Sequence, residues 1–165
     1  MSDSGEQIQL VGVRFERLLP GPAEHIWEFL TDASHLPGWF GDGSIEPRVG
    51  GAVTLMGGHV RGTVTRWMPP TELVYTWNVY DPGGGPSNYP ESYVSFDLEP
   101  REAEVLLRLT HFPVLDRFEK QNAMGWHTYL DMLTAAARRE PVEDRSHYME
   151  RNAALYGVDL NDLLR

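Results

Sequence analysis

The sequence contains no cysteine among its 165 residues. This absence excludes disulfides, thiol nucleophiles, zinc ribbons and iron–sulfur ligation together. Positive charge is also scarce, with 14 Lys and Arg against 24 Asp and Glu and a formal net charge of −10. A field of that sign repels phosphate backbones and anionic lipids, so we expect neither nucleic acid nor a membrane surface as a partner.

Long apolar runs are missing as well, and the runs that exist are far too short to span a bilayer. The first seven residues are polar and acidic, unlike a signal peptide, which predicts a cytoplasmic protein. A length of 165 residues suits one domain of ordinary size. Residues 1–8 are expected to form a disordered tail.

Motifs for metal binding and nucleophilic catalysis are lacking too. The six histidines show no metal-ligand spacing, and no acidic triplet suits a cation, so neither a metal nor another cofactor is expected. No G-x-S-x-G string supports serine hydrolysis, and no catalytic residue is assigned. Residues 83–85 are three glycines without a following lysine or helix, which predicts a flexible hairpin tip that could cover a pocket mouth.

Hydrophobic periodicity predicts an α+β fold. Residues 9–18 alternate as a strand, Pro22 begins a short helix, and Thr31-Asp32 caps a second short helix that Pro37-Gly38 ends. Six further strands separated by turn signals are predicted at residues 45–49, 52–56, 60–68, 73–80, 93–98 and 104–112. Residues 116–139 then switch to helical period. One long helix against one antiparallel sheet encloses a space that is either filled by side chains or kept as a pocket.

Six motifs, of which the first and the fourth consist of two strings each, occur in order and resemble a known family. Residues 22–32 (PAEHIWEFLTD) and 36–40 (LPGWF) resemble the opening of the START-like (SRPBCC) superfamily, also called the polyketide cyclase/lipid-transport or birch-pollen-allergen-like group. The later strings resemble its branch of activator of heat-shock-protein-90 ATPase homologues, and they are VGG at 49–51, GTV at 62–64, PP at 69–70 with LVYTW at 73–77, LRLTH at 107–111 and GWHTYL at 125–130. The resemblance covers residues 9–140. It implies a helix-grip fold, a curved sheet of about seven strands around a long C-terminal helix.

Residues 141–165 lie outside this resemblance and are expected to form a helical C-terminal extension. Pro141 ends the last element that the predicted core needs, so the extension is expected to be dispensable for folding. It is also the segment through which a homodimer or a protein partner could be contacted.

Candidate site residues come from the inward faces of the predicted strands and the long helix. His111 is the one titratable group on an inward strand face, where it could be a pocket acid, base or hydrogen-bonding group, or a satisfied core histidine. The aromatics could line a cavity or simply form the core. The full set of candidates for ligand binding is Trp27, Trp39, Phe40, Tyr75, Trp77, Phe96, His111, Asn122, Gly125, Trp126, Tyr129 and Leu133. Arg66 shares the inward face of its strand unless a bulge turns it to solvent.

Three functions follow as hypotheses. The first is non-catalytic binding of an apolar or aromatic small molecule between the sheet and the long helix. The second is an enzyme of the cyclase or hydrolase kind that uses polar pocket groups such as His111. The third is a protein-interaction or co-chaperone-like module.

Overall fold

The computed structural model describes residues 4–81 and 84–164, and its largest element is a seven-stranded antiparallel sheet. The strands are β1 (Leu10–Pro20), β2 (Ser44–Ile45), β3 (Ala52–Leu55), β4 (Val60–Met68), β5 (Glu72–Val79), β6 (Ser92–Arg101) and β7 (Glu104–Leu115). Their order in the sheet is β1-β7-β6-β5-β4-β3-β2. Strands β2 to β7 therefore pair consecutively, and β7 also pairs with β1.

Three α-helices accompany the sheet, and they are α1 (Ala23–Thr31), α2 (Glu119–Ala137) and α3 (Arg145–Tyr156). Helix α2 buries Trp126, Leu130 and Leu133 in one core with the inward side chains of the strands. The predicted α+β architecture, a curved antiparallel sheet with a long C-terminal helix, is confirmed.

Alternation along the strands decides which side chains enter this core. On β6, Val94, Phe96 and Leu98 are buried, whereas Tyr93 lies on the opposite face and is exposed. The alternation of apolar and polar residues in the sequence therefore produces one buried and one solvent-exposed face of the sheet.

The second predicted helix is only a 3-10 turn, Leu36–Gly38. The Asp32 carboxylate accepts hydrogen bonds from the backbone N–H and from the hydroxyl of Ser34, and each bond has a length of 2.8 Å. Such local bonding gives the backbone an alternative to an α-helix, and Pro37 then removes a further donor.

Several other boundaries differ from the prediction, including the end of β6, which lies at Arg101 instead of residue 98, and two of the differences have a clear local cause. Strand β2 stops at Ile45 because the chain turns through Pro47, with the Gly51 N–H donating to the Arg48 carbonyl over 2.9 Å. Strand β7 continues to Leu115, which pairs with Leu10, so residues 116–118 form a 3-10 turn and α2 begins at Glu119.

Arg66 is turned outward by a bulge. The register between β4 and β5 shifts between Val64 and Arg66, so Arg66 leaves the inward face and pairs with the Glu72 carboxylate in solvent. Of the two alternatives open from the sequence, the bulge is the one found.

The C-terminal extension contains α3, which packs on α2. Tyr148, Asn152 and Ala153 are buried, and Asn152 donates to the Thr128 hydroxyl over 3.1 Å. At the other end of the chain, residues 1–3 of the predicted tail lie outside the described residues, and residues 4–8 are exposed without helix or strand.

Candidate functional site

A cavity of about 840 Å³ opens between the inner sheet face and α2. Its apolar walls come from β4, β5, α2 and α3, and they include Val60, Trp77, Val79, Gly125, Trp126 and Met149. The volume lies in the range of roughly 300–1,000 Å³ that small-molecule sites occupy. The cavity therefore has the size and the lining of a ligand site.

Two tryptophans form the most distinctive part of the wall. The ring centroids of Trp77 and Trp126 are 5.2 Å apart, with the rings inclined by 49°. Tyr129 meets Trp126 edge-on at 6.3 Å, one helical turn further along α2. These rings offer broad apolar surfaces for an aromatic or aliphatic ligand.

Gly125 makes room beside these rings. It lies on the cavity side of α2, and the position that a Cβ would take there has nothing within 4 Å apart from the adjoining helix backbone. Glycine in a helix interior costs about 1 kcal/mol relative to alanine, yet no close approach of the sheet demands it here. The missing side chain leaves volume to the cavity.

The rim of the cavity is polar. The side chains on this rim are His59, just before β4, then Asp81, Ser87 and Asn88, between β5 and β6, and Gln121 and Asn122 in the first turn of α2. Asn122 donates its amide to the Phe118 carbonyl over 2.9 Å, which closes the start of α2. An apolar floor under a polar rim suits a ligand with an apolar body and a polar end.

His111 lies behind the floor rather than on it. It borders a second, smaller cavity of about 40 Å³, which Trp77, Ser92 and Asn122 also line. The Trp126 indole N–H donates to His111 Nδ1 over 2.9 Å, and His111 Nε2 lies 2.7 Å from the Ser92 hydroxyl. Burial lowers the pKa of His111 to about 4, so the ring is neutral at pH 7.

Tyr129 connects the cavity wall to a cation. The Arg145 guanidinium at the start of α3 stands 4.9 Å from the centroid of the Tyr129 ring. Burial raises the pKa of Tyr129, and Arg145 opposes that shift. The Tyr129 hydroxyl therefore stays protonated at neutral pH, and it points to Met56 Sδ at 3.6 Å.

The structure places the twelve predicted site residues in three groups. Trp77, Asn122, Gly125, Trp126 and Tyr129 line the main cavity, and His111 borders the smaller space. The remaining six are packed into the core without lining either space, and they are Trp27, Trp39, Phe40, Tyr75, Phe96 and Leu133. The alternative that aromatics simply form the core describes this last group.

Contacts with neighbouring rings explain why no open space remains beside side chains of this last group. Trp39 and Phe40 stack on each other at 4.5 Å, and Phe40 meets Tyr129 edge-on at 4.8 Å. Trp27 packs edge-on against Trp67, with the ring centroids 5.1 Å apart.

Several lining residues were not among the sequence candidates. They are Met56, His59, Val60, Val79, Asp81, Ser87, Asn88, Tyr89, Gln121, Met149, Leu163 and Leu164. Gln121 and Met149 carry a weak signal, because Gln121 precedes by one position Asn122, a candidate on the inward face of the long helix, and Met149 lies in the predicted helical extension. Of the predicted glycine lid, Gly83 lies outside the described residues, while the neighbouring Ser87 and Asn88 do border the cavity.

Metal binding finds no support in residues 4–81 and 84–164. Within those ranges no group of three or more His, Asp or Glu side chains could hold a metal ion. In the same part of the chain, no helix is long and apolar enough to cross a membrane.

Comparison with known proteins gives the family and the fold. Residues 20–138 match the family model described as Activator of Hsp90 ATPase homolog 1-like protein, whereas no curated protein matches. Among solved structures, CalU16 from Micromonospora echinospora is 22% identical with a TM-score of 0.72, covering 90% of this chain and 87% of its own.

Two further structures show the same fold. A protein from Bordetella parapertussis is 25% identical with a TM-score of 0.72, over 99% of this chain and 92% of that one. An HSP90 activator from Plasmodium falciparum is 22% identical with a TM-score of 0.54, over 62% of this chain and 73% of that one.

Proposed function

This chain belongs to the family of Activator of Hsp90 ATPase homolog 1-like proteins, and from that premise we propose that it binds an apolar or aromatic small molecule in the cavity between sheet and α2. The observation that carries the proposal is the open space at Gly125 beside Trp77 and Trp126. A core built only for stability would fill that space, because interiors pack as densely as organic crystals.

The lining favours a ligand with a flat or elongated apolar body. The indole faces and Val60, Val79 and Met149 offer contact surface without charge. The rim adds hydrogen-bonding groups at Ser87 and Asn88, which would orient a polar end toward solvent. Fatty acids, flavonoids and polycyclic aromatics share this division and form the first panel to test.

The position of His111 supports binding without catalysis. Both ring nitrogens of His111 already have partners, Trp126 and Ser92, and the ring is neutral at pH 7. A general acid or base must exchange a proton with the substrate, yet this ring lies behind the tryptophan floor. Turnover of any compound that is lost in His111→Gln would favour the enzyme alternative instead.

The test uses native mass spectrometry of the purified protein together with tryptophan emission. A co-purifying small molecule, or a change of emission on adding panel compounds at tens of micromolar, is expected because Trp77 and Trp126 line the cavity. Gly125→Leu should weaken that response by filling the cavity, whereas Gly125→Ala adds one methyl and should keep it. If no compound changes the emission and nothing co-purifies, the cavity is not a ligand site.

A second candidate is a protein partner on the outer sheet face. Tyr93 and Phe112 are partners across β6 and β7, 47% and 52% exposed, and Gly12 on β1 leaves room for the Phe112 ring. The family description names the Hsp90 ATPase, so Hsp90 is the partner to test. Binding of purified Hsp90 that is lost in Phe112→Ser, with cavity ligands unaffected, would support this function.

A further inference from the structure

Residues 159–164, called the strap here, return from the end of α3 to the mouth of the cavity. Gly157 ends α3 in the left-handed conformation, with φ of 68°. The Asp162 N–H then donates to the Asp159 carbonyl over 3.1 Å, and the Asn161 N–H donates to the Asp159 carboxylate over 2.9 Å. These turns bring Leu163 and Leu164 to the cavity lining.

The Gln121 side chain fastens the strap by its backbone. Its Oε1 accepts the Leu164 N–H over 2.9 Å, and its Nε2 donates to the Leu164 carbonyl over 3.1 Å. One amide side chain thus satisfies both backbone groups of one residue, as a neighbouring strand would. This bonding needs nothing from the leucine side chains, which are left to face the cavity.

Tyr89 completes the fastening. Its hydroxyl donates to the Leu164 carbonyl over 3.3 Å and accepts from Gln121 Nε2 over 3.2 Å. Burial raises the pKa of Tyr89, so the hydroxyl keeps its proton at neutral pH. The Tyr89 ring packs against Phe118, a buried residue just before α2, with the ring centroids 4.3 Å apart and the rings inclined by 31°, and this contact holds that side of the mouth in place.

The strap covers the mouth without filling the cavity. Leu163 and Leu164 remain 41% and 48% exposed, and about 840 Å³ stays open beside them. Half-exposed leucines at a cavity rim become more buried when a ligand enters below them, and removing apolar surface from water favours that state. The strap is therefore placed to contact a ligand rather than to compete with it.

We propose that residues 159–164 are a lid for the cavity, fastened by Gln121 and Tyr89 and closing on the bound ligand through Leu163 and Leu164. This inference rests on the proposed binding function and adds its regulation. The strap lies outside residues 20–138, so the lid belongs to this chain's own extension rather than to the part that matches the family model. Its few exposed hydrogen bonds let it open locally while the core stays folded.

The test measures release of N-phenyl-1-naphthylamine by stopped-flow fluorescence from the full chain. This probe is apolar, aromatic and uncharged, so the net charge of −10 does not repel it. The double variant Leu163→Ser/Leu164→Ser is expected to release the probe about tenfold faster, because the lid contact is lost. The matched control is Leu155→Ser, which changes a leucine that is 65% exposed and lies outside the cavity lining.

A second variant tests the fastening. Gln121→Glu keeps an acceptor for the Leu164 N–H but places a carboxylate beside the Leu164 carbonyl and the Tyr89 hydroxyl oxygen. Amide hydrogen exchange at Leu164 is expected to accelerate severalfold, with probe release accelerating as well. This exchange measurement needs no ligand.

The outcomes separate the two proposals. Probe that binds all the proteins and leaves them at one common rate overturns the lid and leaves the binding function standing. Tighter binding to the double serine variant also overturns the lid, because the strap would then be a competitor. Probe that binds none of the proteins contradicts the binding function, and the lid falls with it.

Discussion

The Trp126 indole N–H donates to Nδ1 of His111 over 2.9 Å, and this one bond decides where the His111 proton lies. An indole N–H can only donate, so Nδ1 must be the unprotonated acceptor. In the neutral ring Nε2 then carries the hydrogen and donates to the Ser92 hydroxyl at 2.7 Å. The ring links α2, β7 and β6 behind the tryptophan floor of the cavity.

This arrangement predicts a loss of stability in mild acid. Burial holds the pKa of His111 at about 4, below its usual 6.5, so the unfolded chain binds this proton first as pH falls. The stability that the neutral His111 ring provides is fully present above about pH 6.5, and it is lost progressively as the pH falls to about 4. Between pH 7.5 and 5.5 the free energy of unfolding should fall by about 1 kcal/mol on this account.

Urea unfolding of the wild type and of His111→Gln at both pH values measures how much of the fall in the free energy of unfolding is due to His111. Glutamine keeps one donor and one acceptor but does not titrate, so the variant should lose about 1 kcal/mol less than the wild type between the two pH values. Comparing the two proteins removes the contribution of His127, whose pKa burial also lowers. Equal losses in both proteins would show that His111 does not carry the effect.

A second prediction concerns Gly125. Gly125→Ala should raise the free energy of unfolding by about 0.5–1 kcal/mol, because alanine favours the helix and restricts the unfolded chain. The added methyl meets no neighbour within 4 Å beyond the adjoining helix backbone. Thermal or urea unfolding checks this, and a clear loss of stability would contradict an open cavity at this point of α2.

Gly62 should respond in the opposite way to the same change. A Cβ at Gly62 would overlap the carbonyl oxygen of Thr76 on the neighbouring strand β5. A side-chain bond holds the two strands together at this point, because the Thr63 backbone N–H donates to the Thr76 hydroxyl at a distance of 2.8 Å. Gly62→Ala should therefore lose about 3 kcal/mol or more, or fail to fold.

Gly125→Ala serves as the control for Gly62→Ala, because both add one methyl inside a regular element. Circular dichroism and urea unfolding on the pair separate a general effect of glycine replacement from a local clash. A Gly62→Ala protein as stable as the wild type would mean that β4 and β5 lie further apart than the structure has them.

The fold could be predicted because local patterns and global packing agree along most of the chain. Val94, Phe96 and Leu98 alternate with polar residues and are buried together, as period two requires. The predicted secondary structure differs from the structure where one local contact outweighs the hydrophobic pattern. The Asp32 carboxylate bonded to Ser34 replaces a predicted helix by a turn, and the bulge before Arg66 depends on the partner strand.

The cavity was less predictable because distant segments complete it. Trp126 and Tyr129 follow from the inward face predicted for the long helix, but Thr128 and Met132 are buried as well, and they are not among the residues predicted for that face. Thr128 is buried where Asn152 of α3 contacts it. Leu163 and Leu164 reach the mouth only through the path of the chain after Gly157, which no period in the sequence encodes.

The C-terminal extension leads to a fourth prediction. A chain that stops after Glu140 should still melt cooperatively, because the sheet and α2 keep their shared core. Its melting temperature should be lower, since the buried Tyr148 and Ala153 are removed and the face of α2 that carries Thr128 is uncovered. Differential scanning calorimetry checks both statements. An unfolded product would make the extension an integral part of the core.

The fifth prediction compares how much two contacts of the Asp131 carboxylate stabilise the fold, one made by a buried side chain and one by an exposed side chain. Asn152 is buried and donates its amide to the Thr128 hydroxyl and to Asp131, each over 3.1 Å. Asn152→Ala leaves the buried Thr128 hydroxyl and the half-buried Asp131 carboxylate without that partner and should cost about 1–3 kcal/mol.

Arg151 also bonds Asp131, over 2.8 Å, but its side chain is largely in solvent. Arg151→Ala should therefore cost less than about 1 kcal/mol, because exposed ion pairs gain little over water. Urea unfolding of both variants, at low salt and at 0.5 M salt, makes the comparison, and only the Arg151 effect should shrink with salt. A larger loss for Arg151→Ala than for Asn152→Ala would place the main attachment of α3 at the surface ion pair instead of the buried amide.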